Sequence, residues 1–129
     1  MSVNIAGVYS PGTPSTPCII SITGSSVRLE WTAPESDGGS EISGYVLTYG
    51  TPGAHRALYS RETIRGSVTN CTVTEKLFPG RTYHFAVAAE NEGGIGNFSN
   101  VSTAMPVFSD SGTFYGRPCQ LHSKYYYIL

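Results

Sequence analysis

From Tyr83 to Glu90 apolar and small or polar side chains alternate, with Tyr83, Phe85, Val87 and Ala89 on one side and His84, Ala86, Ala88 and Glu90 on the other. That period of two predicts a β-strand with an inward and an outward face. The same period predicts Cys18 to Thr23 as a weaker strand. After the Gly24-Ser25 turn it predicts a second strand in which Val27, Leu29 and Trp31 share a face opposite Arg28 and Glu30. Pro34 to Gly44 is a loop by composition, and Tyr45, Leu47 and Tyr49 then align on one face of a third strand. Between Gly50 and Ser67 the large apolar residues are Leu58, Tyr59 and Ile64, which predicts a short, charged edge strand. Val68 to Thr74, with Cys71 and Val73 inward, and Phe98 to Ala104 complete seven strands.

Glycine and proline, 15 and 8 of 129 residues, fall between these short runs instead of within them. Punctuation of that kind, with no helical period anywhere, predicts two antiparallel sheets packed face to face. The length allows one domain of ordinary size plus a tail. A formal net charge of −1 and scattered basic residues leave no electrostatic footprint for nucleic acid or an anionic membrane. No apolar run reaches the roughly 18 residues of a membrane-spanning helix, and the opening residues lack the pattern of a signal peptide, so no membrane insertion by this segment is expected.

In this setting the turn Pro79-Gly80, followed by Tyr83 at the head of the sixth strand, reads as a tyrosine corner. The ring fills the end of the core, and the hydroxyl bonds backbone near Leu77 to Gly80. Taken with Trp31, the phrase PESDGGSEISGYVLTY from Pro34 to Tyr49 and LFPGRTYHFAVAAENEGGIG from Leu77 to Gly96, the sequence resembles a fibronectin type III domain over about Thr16 to Pro106. The resemblance implies a seven-stranded immunoglobulin-like β-sandwich, all-β, with Trp31, Tyr45, Leu47, Leu77, Tyr83, Phe85 and Val87 in its core. It places residues 1–15 as a Pro/Gly/Ser-rich lead-in and 107–129 as a poorly ordered tail. Two features depart from the family pattern: Glu75-Lys76 lengthens the link to Leu77 by one residue, and the fourth strand lacks its frequent aromatic. An immunoglobulin domain proper fits less well, since it would carry a Cys where Phe85 stands.

Candidate chemistry is sparse. His55, His84 and His122 fall on an apparent edge, a solvent face and the tail, with no nucleophile motif nearby, so no catalytic residues are assigned and no enzyme is expected. Gly93-Gly94-Ile95-Gly96 follows a strand without opening a helix and reads as a turn, not a phosphate loop. Glu35, Asp37 and Glu41 lack the ligand spacing of a calcium loop. No cofactor or metal is expected. The three cysteines, Cys18, Cys71 and Cys119, are expected as thiols. Within the resembled fold the first and fifth strands flank the second, which separates Cys18 from Cys71 too widely for a disulfide.

Asn70, Asn97 and Asn100 head N-x-[ST] sequons, three where about one is expected by chance, and so are candidate glycosylation sites. They favour an extracellular or cell-surface location over a cytoplasmic one, against the missing signal peptide and the unpaired Cys71. Phe98-Ser99-Asn100-Val101-Ser102 occupies the place of the cytokine-receptor Trp-Ser-x-Trp-Ser motif but lacks both Trp, and is taken as an ordinary last strand. The tail reads as an extension, or, through Tyr125 to Leu129, as a strand able to add to a sheet edge.

The resemblance implies a non-catalytic protein-recognition or adhesion module, one repeat of a longer cell-surface or receptor-type protein, with protein as partner and further repeats as neighbours. The alternative is an intracellular structural repeat of a muscle-type scaffold. In either case the resembled topology brings the loops at Pro34 to Ser43, Arg61 to Gly66 and Asn91 to Asn97 to one end. Glu35, Asp37, Glu41, Arg61, Arg65 and Glu92 are therefore the candidate partner-binding residues, with Gly38, Gly39, Gly93 and Gly94 letting the backbone adapt. No Arg-Gly-Asp triplet is present.

Overall fold

A computed structural model describes residues 7–55, 58–75 and 77–106. The strands are β1 (Cys18–Ile22), β2 (Val27–Glu30), β3 (Gly44–Gly50), β4 (Ser60–Arg65), β5 (Asn70–Val73), β6 (Tyr83–Asn91), β7 (Gly94–Ile95) and β8 (Ser102–Ala104). All pairings are antiparallel. One sheet has the order β1-β2-β5, and the other runs β4-β3-β6-β7, with β8 also on β6. β7 and β8 pair with successive stretches of the same strand, so together they form one interrupted seventh strand. Between them Ser99 continues the contact: its backbone N–H donates to the Val87 carbonyl and its Oγ accepts from the Val87 N–H.

The core lies between the inward rows. Tyr45, Leu47 and Tyr49 stand opposite Ala89, Val87 and Phe85 in the β3–β6 register, and Leu29, Val27 and Trp31 face them from the other sheet. Trp31 meets Tyr45 edge to face at 5.5 Å between ring centroids, and Tyr49 stacks on Phe85 at 5.9 Å. β2 ends at Glu30, yet the Trp31 N–H still donates to the Thr69 carbonyl, which holds the indole in the inward row. The Tyr83 hydroxyl accepts from the Phe78 N–H at 2.9 Å, closing the corner upstream of β6. Pro106 is buried, and its carbonyl accepts from the Gly80 N–H of the same corner.

The outward row of the larger sheet departs from expectation. Ala86 and Ala88 point away from the core but are buried, as are Val46 and Thr48 beside them. Arg61, paired with Thr48, reaches across the outer face and brings its guanidinium within 5.9 Å of the Phe98 ring centroid.

Candidate partner-binding loop end

Arg61 is therefore not a loop residue. It sits within β4, four positions from the strand end that carries Arg65, and its charge is committed to the outer face of the sheet. The other candidates lie at the predicted end. Asp37 and Glu41 belong to the loop between β2 and β3, Glu92 tips the two-residue turn between β6 and β7, and Arg65 pairs with Gly44 where β3 begins. Glu35, Asp37, Glu41, Arg65 and Glu92 are all exposed. The loops are joined by backbone bonds: the Ser43 N–H and Oγ both donate to the Glu90 carbonyl, and the Gly66 N–H donates to the Ser43 carbonyl.

What sequence reasoning missed is the residue that ties this end together. The buried Asn91 donates its amide to the Asp37 carbonyl at 2.6 Å and the Tyr9 carbonyl at 2.8 Å, while its Oδ1 accepts from the Gly93 N–H at 2.7 Å. The segment from Gly7 to Gly12, expected as a lead-in, lies across the loop end. Its Tyr9 N–H donates to the Gly38 carbonyl and its Gly12 N–H to the Ser36 carbonyl. Pro11, Pro14 and Pro17 are buried, so packing begins before Thr16. The sequence Asn91-Glu92-Gly93-Gly94 signals a turn at the end of a strand, but not the distant partners that Asn91 holds. Three of the four glycines credited with loop adaptability are in contact with structure instead: a side chain on Gly38 or Gly93 would collide with Tyr9 backbone, and one on Gly39 would lie 2.9 Å from the Gly7 carbonyl oxygen. Gly94, at φ 120°, has open space and serves the turn.

The acceptor side chains of Asn70, Asn97 and Asn100 reach solvent. His84 is half-buried in β6, and His122 lies outside the described residues. No group of His, Cys, Asp and Glu suited to a metal occurs among the described residues. No described helix is long and apolar enough to cross a membrane.

The cysteines divide. Cys71 is a free thiol, half-buried at the seam between the sheets, and burial together with the Glu62 carboxylate raises its pKa. Cys18 is disulfide-bonded, which corrects the expectation that it is a thiol. Its partner is not Cys71, in keeping with β2 lying between β1 and β5. Distance along the chain carries no information about such pairing, which depends on tertiary proximity. Cys119 and the tyrosine-rich tail lie outside the described residues.

The sandwich, its tyrosine corner and its strand order agree with the family comparison: the fibronectin type III domain model matches residues 12–105. The chain belongs to that family. It is similar to protein sax-3 of Caenorhabditis elegans, with 35% identity over 96 residues, covering 74% of this chain and 7% of that protein. It is also similar to myosin-binding protein H-like of Mus musculus, with 28% identity over 114 residues, covering 88% of this chain and 31% of the relative. Among solved structures, titin kinase with its flanking domains aligns with a TM-score of 0.67 and 31% identity, over 77% of this chain and 18% of that one. The chain thus spans under a third of the length of each of these proteins.

Proposed function

We propose that this domain is a non-catalytic protein-interaction module, one repeat of a longer protein, that meets its partner through the polar rim of the loop end. The observation that carries this reading is the convergence of three loops on a rigid sandwich, with exposed Asp37, Glu41 and Glu92 beside exposed Arg65. Mixed charge around backbone-tied loops suits a protein contact better than an apolar ligand. The module's relatives are parts of much longer chains, which supports its role as a repeat. The test reverses Asp37, Glu41 and Glu92 to Lys in the full chain and measures affinity for partners recovered on the unaltered protein, alongside the melting temperature. Weaker, more salt-sensitive binding with an unchanged melting temperature supports the rim. Unchanged affinity overturns it and turns attention to the sheet face bearing His84 and Glu90.

A second reading, a structural repeat of an intracellular muscle-type scaffold, draws support from similarity to a myosin-binding protein and to the titin kinase region. Glycan analysis of native protein separates the two. Occupied Asn70, Asn97 or Asn100 requires secretory passage and excludes the intracellular scaffold; unmodified sites favour it.

A further inference from the structure

We propose that the loop end of the sandwich is a cleft for an extended, glycine- and proline-containing backbone segment, filled in cis by residues 7–12. The contact sets the direction in which the chain enters the domain. The cleft is floored by Gly38, Gly39, Gly93 and Gly96, and at each the space a side chain would take is occupied by backbone of the segment. A Cβ on Gly93 would lie 2.7 Å from the Tyr9 carbonyl carbon, and one on Gly96 would run into the Pro11 carbonyl oxygen. Gly93 and Gly96 are not among the positive-φ glycines, so their own backbone does not demand glycine. What demands it is the segment lying on them.

The polar groups follow the same logic. The segment's Tyr9 and Gly12 N–H groups donate at 2.8 and 2.9 Å to carbonyls of the β2–β3 loop, and its Tyr9 carbonyl accepts from Asn91. Asn91 simultaneously holds the Asp37 carbonyl, so one buried side chain joins the segment to both loops that flank it. Recognition runs through main-chain atoms and excluded Cβ positions. It therefore selects a closely approaching backbone, as strand addition does, and not a particular set of side chains. The buried Pro11 stiffens the segment, which lowers the entropy lost on docking. An outside protein approaching this end meets the half-exposed Tyr9, the charged rim and, of the floor glycines, chiefly the exposed Gly39. The inference holds whether or not the rim binds a partner.

Hydrogen exchange on the full chain tests it. The Tyr9 and Gly12 amides should exchange at least about tenfold more slowly than an unstructured reference, because both are bonded to the cleft. Gly93→Ala and Gly96→Ala should each release that protection while the Leu47 and Val87 amides keep theirs. Glu92→Ala, in the same turn but exposed, should leave the segment protected. If a glycine variant also loses core protection, Tyr9→Pro, which removes the N–H donor without touching the floor, replaces it and should free Gly12. Wild-type Tyr9 and Gly12 exchanging at the reference rate, or protection surviving in a folded Gly93→Ala or Tyr9→Pro chain, overturns the proposal. None of these readouts depends on the charged rim, so they stand apart from the Lys-reversal experiment.

Discussion

Trp31 combines full inward packing with an indole N–H that finds no acceptor among the described residues. Its contribution is therefore volume and ring contact, not a hydrogen bond. Trp31→Ala should lower unfolding free energy by about 3 to 5 kcal/mol in urea titration. Trp31→Phe should cost markedly less, because no bond is lost with the ring nitrogen. Tyr83 is the opposite case. Removing its hydroxyl in Tyr83→Phe strands the Phe78 N–H and should cost about 1 to 2 kcal/mol by the same titration. At the seam between sheets, burial raises the pKa of Tyr49, reinforced by the Glu62 carboxylate, and burial with Glu62 raises that of Cys71. A group raised in the folded state favours folding fully below its unfolded pKa and loses that advantage as pH climbs through the folded value. The urea midpoint should thus decline above about pH 8.5, where an unfolded thiol begins to ionise. Cys71→Ala should remove the first part of the decline, leaving the tyrosine part above about pH 10.

Among the elements, β4 shows how a charged edge strand serves two faces. Its inward row carries Glu62 and Ile64 toward the seam and core, while Arg61 on the outward row spans the sheet to Phe98. A double-mutant cycle of Arg61→Ala and Phe98→Ala should give a coupling of about 0.5 to 1 kcal/mol, the range for a cation over an aromatic at a partly exposed site. A coupling near zero would mean that the guanidinium and the Phe98 ring contribute nothing to each other's stability. Ala88→Leu should also destabilise, because Ala88 is fully buried and a larger side chain overfills its place in the row. The alternation in β6 showed which residues turn outward. It did not show that outward is buried, since that depends on what the tertiary fold packs over the outer face.

For the whole molecule, the division of cysteines gives a direct measurement. Alkylation in denaturant without reductant should label Cys71 and leave Cys18 unlabelled, while in the folded protein Cys71 should react slowly because burial disfavours its thiolate. Labelling of Cys18 without reductant would contradict the disulfide. The three-strand order β1-β2-β5 makes the same statement in geometry: two strands that each bond the middle one cannot bring their cysteines together.

Local chemistry was enough to determine the first six strands, the inward row from Trp31 to Val87, and the corner at Tyr83, because each depends on a period of two or on a turn a few residues away; the last strand, expected over Phe98 to Ala104, is instead split into Gly94–Ile95 and Ser102–Ala104. The family likeness rested on those same residues. The arrangement of the loop end was decided only in three dimensions. Asn91 meets Tyr9 and Asp37 across 82 and 54 residues of chain, and no local pattern encodes such a meeting. Likewise, glycine in Asp37-Gly38-Gly39 and Glu92-Gly93-Gly94 is the same letter whether it permits a turn or makes room for another backbone. Gly94 does the first and Gly93 the second, and the difference is the position of residues 7–12, which belongs to the fold and not to the sequence around either glycine.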